Sequence, residues 1–490
     1  MNLAAGAGIF QIEEATIAQI QEALKTKQLT SVELVQMYLD RIEAYDKNGP
    51  MINSVLTINP DALKVAAQMD EVRGKGEEGP LFGIPVLLKD NIETKDNMPT
   101  TAGTIALKDN YASEDAWVAK KLREAGAIIL GKVNMSEWAY FMADGAPSGY
   151  SGLGGQVLCP YGPETFEAGT VGGSSSGSGA SIASNFAAVA IGSETSGSIL
   201  SPASANSIVG IKPTVGLISR TGIIPLAESQ DTAGPMARTV SDATITLGVL
   251  TGMDSTDPIT AESEGKALAD YTSHLKLDGL NGAHIGVDYN FFYGTDEEKA
   301  ELKQIMQEQI EVMKSLGATV EEVAIPKQEL TADVLFYEFK HSVNEYLKKT
   351  PETVTVKTLE DVIKFNEEDQ DVRMKFGQAL LVESQNKSES LDDPKYHEQR
   401  ANDIKYSREL GIDQVMAENN LDALLFLNNF GAALPAKAGY PSITVPAGYT
   451  NSGMPVGVTF SAKAYSEPKL IELAYSYEQH TKKRVAPTFR

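Results

Sequence analysis

The 490-residue chain has one cysteine, five histidines and no apolar run near the roughly 18 residues that span a bilayer. Cys159 alone excludes an internal disulfide framework and a thiolate cluster around a metal. His274, His284, His341, His397 and His480 contain no His-x3-His pair and no His-Glu-x-x-His segment, so neither a metal nor a cofactor is expected. Positive charge is scarce too. The 42 Lys and Arg face 66 Asp and Glu, a formal net charge of −24, and a field of that sign repels polyanions. Nucleic acid and anionic membrane are therefore not expected partners. Residues 1–10 lack a basic segment and a cleavage-type ending, so no leader peptide is read there. A cytoplasmic location is favoured, with secretion left open should a leader have been removed ahead of Met1.

What is present is ordinary in bulk and unusual in detail. With 42% hydrophobic and 22% charged residues the composition is that of a globular protein, and the length alone allows about three domains. Residues 14–45 read as helical, with Thr16 and Thr30 as caps, and residues 53–59 alternate like a strand. Residues 81–90, Leu-Phe-Gly-Ile-Pro-Val-Leu-Leu-Lys-Asp, form a short apolar run that suits a buried strand with a lysine at its mouth. Helix then apolar strand recurs at 116–124 and 127–130, at 297–316 and 319–324, and at 412–420 and 423–427. Such alternation predicts an α/β architecture with a largely parallel sheet. No lysine or arginine falls between Lys132 and Lys212, which reads as packed interior. Residues 254–420 are highly charged and helical, which reads as a peripheral layer. No linker separates the two.

Three segments bear on chemistry. Gly172-Gly-Ser-Ser-Ser-Gly-Ser-Gly179 has the composition of a flexible linker, yet it runs straight into the apolar stretch 180–191. It lacks the Gly-Lys-Ser/Thr ending of a phosphate loop and the dinucleotide spacing. Gly192-Ser-Glu-Thr-Ser-Gly-Ser198 crowds small residues about a serine. It fits a tight strand-to-helix turn, and equally a nest of N–H groups that would hold the oxyanion of acyl transfer. A nucleophilic serine needs a base, and no histidine has a turn or glycine context that suggests one. Lys89, ending an apolar strand, is either a strand-end lysine paired with Asp90 or a desolvated lysine whose lowered pKa makes it a neutral base.

Taken in order, Gly83-Ile-Pro-Val-Leu-Leu-Lys-Asp-Asn91, Gly131-Lys-Val-Asn-Met-Ser-Glu-Trp138, the two glycine-serine segments and Gly210-Ile-Lys-Pro-Thr-Val-Gly216 resemble the amidase signature family. The resemblance continues through Gln230-Asp-Thr-Ala-Gly-Pro235, Gly439-Tyr-Pro-Ser-Ile-Thr-Val-Pro446 and Gly453-Met-Pro-Val-Gly457, and covers nearly the whole chain. It implies one α/β domain over 1–490 whose central mixed, largely parallel β-sheet is covered by helices on both faces. Within it lie an N-terminal helical region (1–80), a catalytic core (81–250), a variable helical layer (255–420) and a return to the core (421–490). It implies a Ser–cis-Ser–Lys triad, with Ser198 as nucleophile, Ser174 held through a cis peptide bond and Lys89 as base. The N–H groups of Thr195, Ser196, Gly197 and Ser198 would form the oxyanion hole, and Ser175 would steady Lys89 by a hydrogen bond.

The family usually has two glycines before the nucleophile and an arginine two places after it, where this chain has Ser196-Gly197 and Leu200. With Trp138 and the run Ser198-Ile-Leu-Ser-Pro-Ala-Ser204, this most resembles the peptide-amidase-like branch, which cleaves C-terminal carboxamides of peptides and simpler amides. The expected partner is thus a small-molecule or peptide amide. The alternatives are the glutaminase subunit of a tRNA-dependent amidotransferase and a non-catalytic binding protein on the same scaffold. The acyl side is expected to be lined by residues 331–399 and by the loop 140–154, and Asp231 either meets substrate or caps a turn.

Overall fold

The computed structural model describes residues 10–76, 78–326 and 330–489. Residues 1–9, on which the leader-peptide reading rests, lie outside them. Thirteen strands are present among the described residues. In the first half of the chain they are β1 (Val55–Ile58), β2 (Pro85–Lys89), β3 (Ile128–Val133), a small hairpin of β4 (Tyr150–Ser151) and β5 (Gly155–Gln156), β6 (Val189–Glu194), β7 (Val209–Lys212) and β8 (Thr232–Ala237). The second half adds β9 (His284–Val287), β10 (Thr319–Glu322), β11 (Ala423–Leu427), β12 (Ser442–Tyr449) and β13 (Pro455–Ser461). Eleven of them form one sheet in the order β1-β3-β2-β6-β8-β7-β12-β13-β11-β9-β10.

The expected mixed sheet is there, and its parallel pairing sits in two runs, β3-β2-β6 and β11-β9-β10. These are the stretches where helix and strand alternate in the sequence, because a parallel return needs a crossover. The six other neighbouring pairs are antiparallel, more than that alternation suggests. Every residue of β2, β3, β6, β7, β8, β11 and β13 is buried, so the sheet is covered on both faces. Helices Ser176–Ala183, Val240–Leu250 and Glu467–Thr481 contribute to that cover.

Local chemistry explains the elements that frame the sheet. Thr16 and Thr30 cap helices Ile17–Lys25 and Ser31–Ile42, each in a reciprocal capping box with Gln19 or Glu33. Ile17, Ile20 and Leu24, then Leu34, Val35, Tyr38 and Ile42, fall on the inward faces and are buried. Each such side chain contributes roughly 1.5–3 kcal/mol when fully buried. The segment between residues 254 and 420 supplies the helices expected of it together with β9 and the edge strand β10. Its helices Asp333–Leu347, Leu359–Glu367 and Ala379–Gln385 build a second apolar cluster, where Phe336 and Phe339 pack on Phe141 and Phe339 on Trp138.

One glycine shows how tightly β7 and β8 approach. A Cβ on Gly234 would lie 2.0 Å from the carbonyl oxygen of Ile211 in the facing strand, where only backbone could yield. Gly234→Ala is expected to destabilise the protein by about 1–3 kcal/mol or more. A thermal or urea unfolding midpoint equal to that of the wild type would show that the strands can part at no cost.

Candidate active site

The site assembles where two parallel neighbours end together. Lys89 is the last residue of β2, and Ser193 and Glu194 close β6 beside it. The carboxyl ends of parallel strands leave such a crevice in open α/β sheets. Ser174 follows a cis peptide bond from Gly173 and stands just before helix Ser176–Ala183. The Ser175 N–H donates to the Ser198 carbonyl oxygen (3.1 Å), so two segments distant in sequence are held side by side. Lys89, Ser174 and Ser175 are wholly buried, and Ser198 is 7% exposed.

The Lys89 Nζ donates to Ser174 Oγ (2.7 Å), Ser193 Oγ (2.9 Å) and the Ser193 carbonyl oxygen (3.1 Å). All three acceptors are neutral. Burial pulls the ammonium pKa down to about 7, opposed by the more distant carboxylates of Asp231 and Glu194. The expected alternative of a Lys89–Asp90 pair is absent: the Asp90 carboxylate accepts from the Thr101 hydroxyl and N–H. A second buried lysine, Lys132, supplies the opposing charge there while donating to Ile92 O (2.6 Å) and Thr100 Oγ1 (2.7 Å). The histidines are engaged elsewhere: His274 with Glu472, His284 with Glu321, His341 with the Glu389 carbonyl, His480 with the Ser476 carbonyl, and His397 against the Tyr396 ring.

The loop from β6 to Ser198 is organised by Glu194, a residue that nothing in the sequence singles out. Its buried carboxylate accepts from the N–H groups of Gly197 (2.7 Å), Ile199 (2.7 Å) and Leu200 (3.0 Å). The Gly197 N–H, expected among the oxyanion donors, is thereby committed to Glu194. Gly197 itself takes φ +77°, a left-handed conformation that a side chain disfavours. The N–H groups of Thr195, Ser196 and Ser198 have no acceptor among the described residues. Ser175 also differs from expectation. Its hydroxyl donates to the Ser193 carbonyl (2.9 Å) and accepts from the Ser193 N–H (3.2 Å), so it meets Lys89 only through Ser193. Ser193 further accepts from Asn91 Nδ2 (2.9 Å). Nothing in a Gly-Ser-Glu string distinguishes that serine from its neighbours; its position opposite the end of β2 does.

A cavity of about 740 Å³ reaches this site through Asn91, Ser193 and Thr195. Of the segments expected to line the acyl side, residues 331–399 contribute Ser342, Glu345, Tyr346, Lys349, Thr350 and Pro351. The loop 140–154 does not reach this cavity and instead lines a small hollow with Phe376. Asp231, on the cavity wall, accepts from the Leu226 and Ala227 N–H groups (2.8 and 2.9 Å) and from Thr195 Oγ1 (2.5 Å). It closes a turn and at the same time orients Thr195. Burial pushes its carboxyl up to about 6.

Replacing Glu194 tests the loop. Glu194→Gln sets an NH2 group where an acceptor stood, leaving at least one N–H unpaired at a cost of about 1–3 kcal/mol. The unfolding midpoint is expected to fall accordingly, and an unchanged midpoint would mean the carboxylate does not hold the loop.

Four similarities bear on what this arrangement belongs to. Residues 33–471 match the amidase family model. The chain is 40% identical over 487 residues to a probable amidase of Arabidopsis thaliana, covering 98% of this chain and 92% of that one. It is 38% identical over 320 residues to one subunit of the glutamyl-tRNA(Gln) amidotransferase of Carboxydothermus hydrogenoformans, covering 65% of this chain and 62% of that one. Among solved structures, the native peptide amidase of Stenotrophomonas maltophilia superposes with a TM-score of 0.90 at 41% identity, over 97% of this chain and 99% of that one. On sequence, fold and near-complete coverage, the chain belongs to the amidase family of hydrolases.

Proposed function

We propose that the chain is a serine amidohydrolase that cleaves a linear carboxamide, either a peptide C-terminal amide or a simple amide, to carboxylate and ammonia through an acyl-enzyme. The observation that supports this most directly is Lys89: a fully buried ammonium site with only neutral acceptors, 2.7 Å from Ser174 Oγ. Depressed to about 7, it offers a neutral amine at moderate pH.

In this reading Lys89 Nζ takes the Ser174 hydroxyl proton as Ser174 takes that of Ser198, and Ser198 Oγ bonds to the amide carbon. The free N–H groups of Thr195, Ser196 and Ser198 receive the oxyanion, each donor being worth about 10² to 10³ in rate where such holes are dissected. The proton returns through Ser174 to the nitrogen, the C–N bond breaks and ammonia leaves. Water then adds to the ester by the same relay, releasing carboxylate and restoring Ser198. Gly197 contributes through its bond to Glu194, which fixes the curvature of the donor loop.

A second reading, the glutaminase subunit of a tRNA-dependent amidotransferase, draws on the 38% identity to a subunit of such an enzyme. The longer match to the amidases and the net charge of −24 favour the first. Ammonia release from peptide amides by the protein alone is the expected result; turnover of glutamine only in the presence of a second subunit would reverse the choice.

Lys89→Ala is expected to lower kcat by about 10² to 10⁴, and Ser198→Ala to abolish acyl-enzyme formation, with ammonia release as the readout. Wild-type rates in either variant would refute these roles. Because the base acts when unprotonated, kcat/KM should rise with pH through about 7 and fall away below it. A flat profile down to pH 5 or so would be incompatible with a neutral lysine.

A further inference from the structure

Six carboxylate residues but only two cationic ones line the cavity that leads to the site. Glu93, Glu114 and Glu228 line it, and none lies within ion-pair distance of a cation among the described residues. Of the cations on the wall, Arg220 is already held by Asp257, its Nε and Nη2 donating to the two carboxylate oxygens at 2.9 and 2.6 Å. Lys349 is left as the only wall cation without an ion pair among the described residues. Two neutral side chains on the wall also carry an unpartnered polar atom, one an amide oxygen and one a hydroxyl that can donate or accept. Asn91 and Ser342 are each more than nine-tenths buried and line the cavity. Asn91 Oδ1 and Ser342 Oγ have no hydrogen-bond partner among the described residues.

Glu93 is the best-built of the carboxylates. Its N–H donates to the Gly222 carbonyl (2.9 Å) and its carbonyl accepts from Ala116 N–H (3.0 Å), so the backbone is fixed. Its Oε1 accepts from the Tyr346 hydroxyl (2.7 Å), which is in turn held by Asn110 Nδ2 (2.8 Å). That leaves Oε2 without a protein donor among the described residues. A carboxylate oriented by a tyrosine, with its other oxygen unfilled and an unpartnered amide oxygen on the same wall, is complementary to a group that brings several N–H donors and a positive charge.

We propose, resting on the amidase reading above, that this cavity selects amides bearing an ammonium group, with Glu93 as the specificity-determining contact. The ammonium could be the free α-amino end of a short peptide amide or a basic side chain; the chemistry recognised is the same. The effect belongs in KM and kcat/KM, because Glu93 meets the substrate away from the reacting bond.

Three substrates separate the cases near pH 7: alanyl-leucinamide, its N-acetylated neutral counterpart, and N-acetyl-lysyl-leucinamide. The wild type is expected to favour at least one of the two cationic amides over the neutral one by about tenfold or more in kcat/KM, roughly one charge-assisted hydrogen bond, with the preference shrinking as salt rises. A gain for the alanyl substrate alone assigns the α-ammonium, and a gain for the lysyl substrate alone assigns the side chain. Glu93→Gln should remove most of the preference, Glu228→Gln part of it, and the remote Glu264→Gln none. Equal kcat/KM for all three substrates, or a preference untouched by Glu93→Gln, would overturn the proposal while leaving amide hydrolysis intact. Absence of ammonia release from every amide would overturn the amidase reading as well.

Discussion

Keeping an ammonium group out of water with no anion against it is the constraint around which this molecule is arranged. Lys89 is wholly buried, and its donors end on two hydroxyls and a carbonyl. An isolated charge in such surroundings is costly enough that the group gives up its proton more readily. The carboxylates of Asp231 and Glu194 act on it at longer range and moderate the shift without cancelling it. Each has its own hydrogen-bond partners, Asp231 in Thr195 and a turn, and Glu194 in the loop toward Ser198. The same two acids therefore shape the loop and tune the lysine.

Two parallel strands that end together make this arrangement possible. β2 delivers Lys89 and β6 delivers Ser193, so the lysine meets a rigid backbone carbonyl and a hydroxyl braced by Asn91, while Ser175 holds the Ser193 backbone. Groups on strand ends are positioned more firmly than groups on free loops. The serines at 174 and 198 reach the crevice from flanking turns, and one backbone hydrogen bond between Ser175 and Ser198 ties those turns to each other.

Much of the frame was legible in the sequence because its causes are local. Thr16 and Thr30 cap helices where hydroxyls precede an apolar period, and the runs ending in Lys89 and Leu427 are strands. Strand direction was less legible. The helix–strand alternation marked the two parallel runs, but nothing within residues 209–212 or 232–237 announces an antiparallel partner, since pairing is decided by what the rest of the chain brings alongside. At the site, Lys89 and the segment around Ser198 stood out by their context, and Ser174 only through the resemblance to the amidase signature family. Ser193 and Glu194 did not, because a serine's role as brace and a glutamate's role as a cap for three N–H groups depend on a loop conformation that composition does not encode. For the same reason the hydrogen bond expected from Ser175 to Lys89 runs to Ser193 instead.

The order of the sheet also shapes how the chain is made. Strands up to residue 237 fill one side of it and end at β7, whose other neighbour is β12, drawn from residues 442–449. During synthesis, then, the edge formed by Val209–Lys212 waits through the whole charged helical stretch before its natural partner emerges. Lys89, Ser174 and Ser198 all lie on the half that is made first. An open, apolar strand edge of this kind is a template for pairing with other nascent chains. The interval means that this half of the sheet has a free β7 edge until residues 442–449 have emerged.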